Sequence, residues 1–162
     1  MHRITLINGD GIGPEISQSV MSIIKASGLE IDWDIQTAGA DVIEKEGTPL
    51  PKRVLDSVKE NKVALKAPVT TPIGKGFRSV NVQLRKDLDL FANLRPCKNL
   101  PAVKTRFENV DLVVVRENTE DLYAGVEEQI DNDTAHSIKI ITRKASERIC
   151  KFAFDYAVKN NR

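Results

Sequence analysis

The sequence predicts an α/β chain, and three observations carry that prediction. Short apolar runs alternate with segments of helical spacing, as when Arg3 to Asn8 is followed by a stripe at Ile16, Val20, Ile23 and Ile24. One run, Val113-Val114-Val115, is β-branched throughout, which suits a strand buried on both faces of a sheet. A loop rich in Pro, Thr and Gly follows the carboxyl end of the run Lys62 to Ala67, the edge at which open α/β sheets bind ligands. With 162 residues the chain can hold one domain with a full core, or parts of two.

In order, Arg3 to Asn8 reads as a buried strand through Ile4, Leu6 and Ile7. Gly9-Asp10-Gly11-Ile12-Gly13 turns the chain into a helix that opens at Pro14 and ends at Gly28. The spacing is G-x-G-x-G, not the G-x-G-x-x-G of a dinucleotide fingerprint, and no acidic residue on a clearly placed second strand completes that unit. The turn is read as lying beside a cleft, with direct cofactor contact left open. Ile31 to Thr37 alternates apolar and polar residues, as a half-exposed strand does. Ala40 to Glu46, closed by Gly47, is a short helix, and Pro51 to Asn61 is a second with Val54, Leu55 and Val58 inward. Lys62 to Ala67 is the next strand. Ser79 and Asn81 are both good helix caps, and Val82, Leu84, Arg85 and Leu88 follow at helical spacing. Leu90 to Arg95 is a strand broken by Pro96 and Pro101, and Val110 to Arg116 is another. Ala124 to Ile130 and His136 to Thr142 flank the polar turn Asp131-Asn132-Asp133 as a hairpin. Arg143 to Lys159 closes as an amphipathic helix with Ile149, Phe152, Ala153 and Tyr156 on one side.

Composition excludes some classes of function. With 24 Lys and Arg against 23 Asp and Glu there is no whole-chain attraction to nucleic acid, so any basic site is local. No apolar run reaches membrane-spanning length, and no basic segment leads into an apolar one at the start. Cys97 and Cys150 lie far apart without metal or redox spacing, which reads as free thiols in a reducing cytosol. A cytoplasmic location with no membrane or nucleic-acid partner is the resulting expectation. His2 and His136 have no neighbours at ligand spacing and read as surface residues.

The chemistry concentrates between Lys66 and Arg95. Pro68, Pro72, Gly74 and Gly76 shape a loop, and Arg78, Asn81 and Arg85 then follow at i, i+3 and i+7 on one helix face. A helix start carrying amides, a hydroxyl and guanidinium groups suits a carboxylate or phosphate. Arg85, Arg95 and Arg116 each stand at the end of an element. For one such arginine an internal salt bridge is as good a reading as a ligand contact. Three on separate elements fit an outside anion better, and a tricarboxylate can take a forked donor at each carboxylate.

The stretch T-T-P-I-G-K-G-F-R-S-V-N-V-Q-L-R-K-D-L-D-L-F-A-N-L-R-P resembles the substrate-loop signature of isocitrate dehydrogenases, within the metal-dependent β-decarboxylating dehydrogenases. N-G-D-G-I-G-P-E before it and V-V-R-E-N-T-E-D-L-Y-A-G-V-E after it agree in order, so the resemblance runs along essentially the whole chain. It implies an isocitrate/isopropylmalate dehydrogenase-like fold represented by its N-terminal half. Residues 1–90 would be a partial large, cofactor-side domain, and 91–162 a partial small domain with a hairpin arm at 124–142 reaching a partner subunit. The implied activity is oxidative decarboxylation of isocitrate to 2-oxoglutarate, a tricarboxylic acid cycle step, by a homodimer using NAD in preference to NADP, with Mg²⁺ or Mn²⁺.

Residue by residue, the resemblance makes Arg85, Arg95 and Arg116 the holders of two substrate carboxylates, and Ser79 and Asn81 the pair for the third. A polar pair there favours isocitrate over isopropylmalate, which would call for an apolar side chain. Ser79 also matches a serine phosphorylated in some bacterial isocitrate dehydrogenases, where added negative charge would repel the substrate. Tyr123 takes the role of the acid that protonates the enolate after CO₂ leaves. Thr70 and Thr71, with Lys66 nearby, lie at the nicotinamide end of the cofactor. No metal ligand is assigned to this chain, since the matching aspartates and a catalytic lysine fall in the other half. Turnover by these 162 residues alone is therefore not expected. Homoisocitrate, tartrate or 3-isopropylmalate dehydrogenase, and a non-catalytic effector-binding subunit, are the alternatives.

Overall fold

Three parallel strands anchor the first half of the chain. The computed structural model describes residues 2–70 and 79–162, and the chain divides into two units, Met1–Leu88 and Asp89–Arg162. In the first unit β1 (His2–Ile7), β2 (Ile31–Gln36) and β3 (Ala64–Lys66) lie in the order β2-β1-β3, with Leu6 opposite Ile35 on one side and Leu65 on the other. Parallel neighbours require crossover connections. Helix α1 (Gly13–Ala26) makes the first, and a single 3₁₀ turn (Ala40–Val42), α2 (Ile43–Glu46) and α3 (Lys52–Asn61) make the second. Helix α4 (Val80–Asp87) follows.

The core of this unit gathers Ile7, Ala38, Leu50, Val54, Val80 and Leu84. Helix α4 has eight residues, too few to be stable alone, so Val80 and Leu84 in that core fix its place. Below it, a polar network joins β1, β2 and α3. Ser57 donates to Asp34 at 2.7 Å and lies 2.7 Å from the Thr5 hydroxyl, while Asn61 donates to both Thr5 and Asp34. The Ser57 hydroxyl, then the Gln36 amide, hold the Asp34 carboxyl below the usual carboxylate range.

The expected stripe of α1 is displaced. Ile16 and Ile23 are exposed, and the buried side begins with Gly13 and Ser17 and continues through Val20, Met21 and Ile24. Two residues too small to register as hydrophobic begin that face, so periodicity placed it one position off.

In the second unit β4 (Ala92–Lys98) pairs antiparallel with β5 (Asp111–Glu117), and β6 (Asp121–Gln129) with β7 (Ala135–Ile140). Helix α5 (Arg143–Lys159) is capped by Thr142, whose hydroxyl accepts from the Ala145 amide at 3.1 Å. The same residue donates its amide and hydroxyl to Glu120 at 2.8 and 2.7 Å, tying α5 to the start of β6. Phe91 and Phe152 meet edge to face at 5.8 Å, and the Arg148 guanidinium lies 4.0 Å over Phe91 while pairing with Asp89.

Two expectations about these strands fail. Pro96 does not end β4, which continues to Lys98 with Pro96 opposite Val113. Among the described residues β4 has β5 alone as a partner, and an edge strand accommodates a residue without an N–H. Arg95 consequently lies within its strand rather than closing it. Nor is β5 covered on both faces among the described residues, since Leu112 and Val114 are each 47% exposed. No helix among the described residues is long and apolar enough to cross a membrane.

Candidate active site

Antiparallel register brings part of the expected cluster together in the second unit. Arg95 faces Val114 and Asn93 faces Arg116, so Asn93, Arg95, Val114 and Arg116 share one face of the β4–β5 ribbon. Arg116 donates from Nη2 to the Tyr123 hydroxyl at 2.7 Å, with its guanidinium 5.4 Å from the ring centre. With its amide oxygen turned towards Arg95, Asn93 accepts from that guanidinium at 3.3 and 3.2 Å.

Nearby carboxylates are committed elsewhere. Glu117 accepts the Thr119 amide and hydroxyl and the Glu120 amide, at 2.8, 2.6 and 2.8 Å. Burial acts to raise its pKa, but these hydrogen bonds outweigh it and hold the group below the usual range. Glu120 is taken up by Thr142, and Asp121 faces Lys139. Among the described residues no ion pair involves Arg95 or Arg116. Two exposed guanidiniums thus share a surface without an acid among the described residues, and one of them meets the Tyr123 hydroxyl.

The first unit holds the other candidates. Ser79 occupies the N-cap position of α4, yet its hydroxyl makes no capping bond, and Asn81 lies inside the first turn rather than capping it. The Asn81 amide oxygen is buried with no hydrogen-bond partner among the described residues. Arg85 is half-buried one turn further on. Lys66, at the end of β3, donates to the Ala67 carbonyl at 2.7 Å, and burial, followed by the positive charge of Arg85, holds its pKa below the ordinary lysine range. Two cations sharing one neighbourhood favour an anion there. Thr70 is exposed, with its amide donating to Asp10 at 2.8 Å. Thr71 and Arg78 lie outside the described residues.

Sequence reasoning passed over Asn93 and Asp10. Asn93 stands two residues before Arg95, the spacing that shares a strand face, which could have marked it. Asp10, between two glycines, signals a turn, and that signal does not mark a buried acceptor.

Residues 3–162 match the sequence profile of the family described as isocitrate/isopropylmalate dehydrogenase. The chain belongs to this family. Isocitrate/isopropylmalate dehydrogenase relatives cover it almost end to end. It is 51% identical over 160 residues to a protein named mitochondrial isocitrate dehydrogenase [NAD] catalytic subunit 6 from Arabidopsis thaliana, covering 99% of this chain and 43% of that one. It is 49% identical to a chloroplastic 3-isopropylmalate dehydrogenase from Solanum tuberosum, over 99% of this chain and 45% of that one. The crystal structure of isocitrate dehydrogenase from Methylococcus capsulatus superposes with a TM-score of 0.91 at 52% identity, covering all of this chain and 49% of that one. The chain thus spans less than half the length of these relatives.

The fold class is that of the isocitrate/isopropylmalate dehydrogenases, represented in part. The cytoplasmic expectation does not stand, because several of the most similar relatives are named as mitochondrial proteins. It rested on thiol usage and on the start of the chain, and free thiols do not separate the cytosol from other reducing compartments. No group of three His, Cys, Asp or Glu is placed to hold a metal ion among the described residues. The Mg²⁺ or Mn²⁺ of the resemblance therefore finds no donor set here, and no step is assigned to it.

Proposed function

We propose that in the full-length protein this chain supplies substrate-holding and proton-donating groups for the oxidative decarboxylation of isocitrate to 2-oxoglutarate, with NAD as cofactor. The observation that carries this reading is the ribbon face where Arg95 and Arg116 have no acid partner among the described residues and Arg116 touches the Tyr123 hydroxyl. In this reading Arg85, Arg95 and Arg116 hold two of the substrate carboxylates, and Ser79 and Asn81 bind the third. Tyr123 delivers the proton to the enolate carbon, with Arg116 orienting its oxygen. NAD, when bound, supplies the hydride acceptor. Thr70, exposed beyond β3, and Thr71 lie on its nicotinamide side. Residues 1–90 then belong to the cofactor-side domain and 91–162 to the second, and the β6–β7 hairpin, with Val126, Ile138 and Ile140 exposed, meets the other subunit of a homodimer.

A second reading, 3-isopropylmalate oxidation, is favoured by the relative of that name at 49% identity. The polar pair Ser79 and Asn81, the latter with a buried amide oxygen that has no partner among the described residues, supports isocitrate instead. Steady-state rates of the full-length protein on isocitrate, 3-isopropylmalate, homoisocitrate and tartrate, each with NAD and with NADP, separate them. The highest kcat/KM is expected for isocitrate with NAD, and a preference for 3-isopropylmalate overturns the assignment. Tyr123→Phe is expected to lower kcat by about 10²-fold or more with little change in isocitrate KM. Unchanged kcat removes Tyr123 from the chemistry.

A further inference from the structure

The G-D-G-I-G turn, which matches no dinucleotide fingerprint, surrounds one buried carboxylate. Asp10 is 5% exposed and follows β1, the middle strand of β2-β1-β3. Its two oxygens reach in opposite directions along the carboxyl edge of the sheet. Oδ2 accepts the Ala40 amide from the loop after β2, and Oδ1 accepts the Thr70 amide from the loop after β3, both at 2.8 Å. Backbone bonds reinforce both sides, from Asn8 to the Gln36 carbonyl at 2.9 Å and from Ala67 to the Ile7 carbonyl at 2.9 Å.

The glycines around this carboxylate are explained by close approach to it and to Pro68. A Cβ on Gly9 would stand 1.9 Å from the Pro68 carbonyl oxygen, and one on Gly39 would stand 2.2 Å from Asp10 Oδ2. On Gly13 it would meet the Asn8 carbonyl oxygen at 2.6 Å and that of Pro68 at 3.1 Å. Three glycines from two loops thus make room for one acid and the strand ends beside it. Burial acts to raise the Asp10 pKa, yet the hydrogen bonds from Thr70 and Ala40 prevail and keep it below the usual range, so the group is charged at neutral pH.

We propose that Asp10 is a positioning residue for the nicotinamide cofactor, acting through Thr70: it clamps the loops after β2 and β3 to the central strand and so fixes Thr70 before the cofactor arrives. The assignment rests on Thr70 lying on the cofactor side, as in the function proposed above. A preset loop lowers the ordering cost of binding, so the loss falls on the ligand that this loop meets and spares the other. A merely structural acid would weaken both ligands alike.

Two measurements on the full-length protein test it. In the unmodified protein, NADH is expected to slow hydrogen exchange at the Thr70 and Ala40 amides, and citrate to leave them unchanged. Equal protection by both ligands, or none from NADH, overturns the assignment without any variant. Asp10→Asn keeps the shape but cannot accept on both sides, and is expected to raise the NADH Kd about tenfold, with the citrate Kd changed by less than about twofold. An unchanged NADH Kd, or a parallel rise in both, overturns it. Isocitrate turnover is followed alongside: a protein that shows this NADH pattern yet oxidises no isocitrate sinks the substrate reading and supports the role of Asp10.

Discussion

Leu84→Ala tests how helix α4 is held. Leu84 is 8% exposed and packs with Ile7, Ala38, Leu50, Val54 and Val80. The substitution removes three carbons, a transfer loss of about 2.4 kcal/mol at ~0.8 kcal/mol for each. The residual cavity adds to this, though a site near the surface collapses more readily than a central one. The expected total is about 3 kcal/mol, near the lower end for buried leucines. Helix α4 has neither a side-chain cap nor an acidic residue in its first turn. Urea unfolding followed by the fluorescence of Trp33, the single tryptophan, reads the stability of this unit. Leu100→Ala, at a side chain 67% exposed, is the control and should stay within about 0.5 kcal/mol. In the full-length protein the same Leu84 variant should raise isocitrate KM more than NAD KM, because Asn81 and Arg85 ride on this helix. A stability loss below about 1 kcal/mol would show that α4 is held by something other than this core.

Gly9→Ala places a methyl 1.9 Å from a backbone oxygen at φ +68°, where neither side can yield, and should cost about 2 kcal/mol or more by the same urea assay. Thr142→Ala removes the α5 cap and the hydroxyl bond to Glu120 while leaving the amide bond, an expected loss of about 1–2 kcal/mol in thermal or urea unfolding, and Thr142→Ser should recover most of it. The Asp34 pKa lies below its reference value of 3.8, so its contribution to stability is full above that value and is lost as pH falls through the lower folded value. Ser57→Ala removes the largest cause of that shift. Urea midpoints between about pH 2 and 6 should therefore fall off at higher pH in the variant than in the parent, and coincident profiles would refute the link.

What the sequence disclosed follows the range over which each signal acts. Strands β1 to β3 and helix α5 were legible because each is set by its own run of side chains, and the hairpin because Asp131, Asn132 and Asp133 punctuate it. The misplaced face of α1 shows the limit of hydrophobic periodicity, since Gly13 and Ser17 are buried for their size. Pro96 misled for a different reason: whether a proline ends a strand depends on which edge is paired, and that is a property of β5 as much as of β4. Asp10 marks the far end of this scale. Its partners Ala40 and Thr70 lie 30 and 60 residues away and both give it backbone amides, which no residue identity announces. The cluster of Arg95, Arg116 and Tyr123 falls between, because motif resemblance named its members but only strand register puts the two arginines on one face. A site assembled from side chains is thus partly written in residue types. The backbone that holds it in place is written mainly in the glycines that leave room.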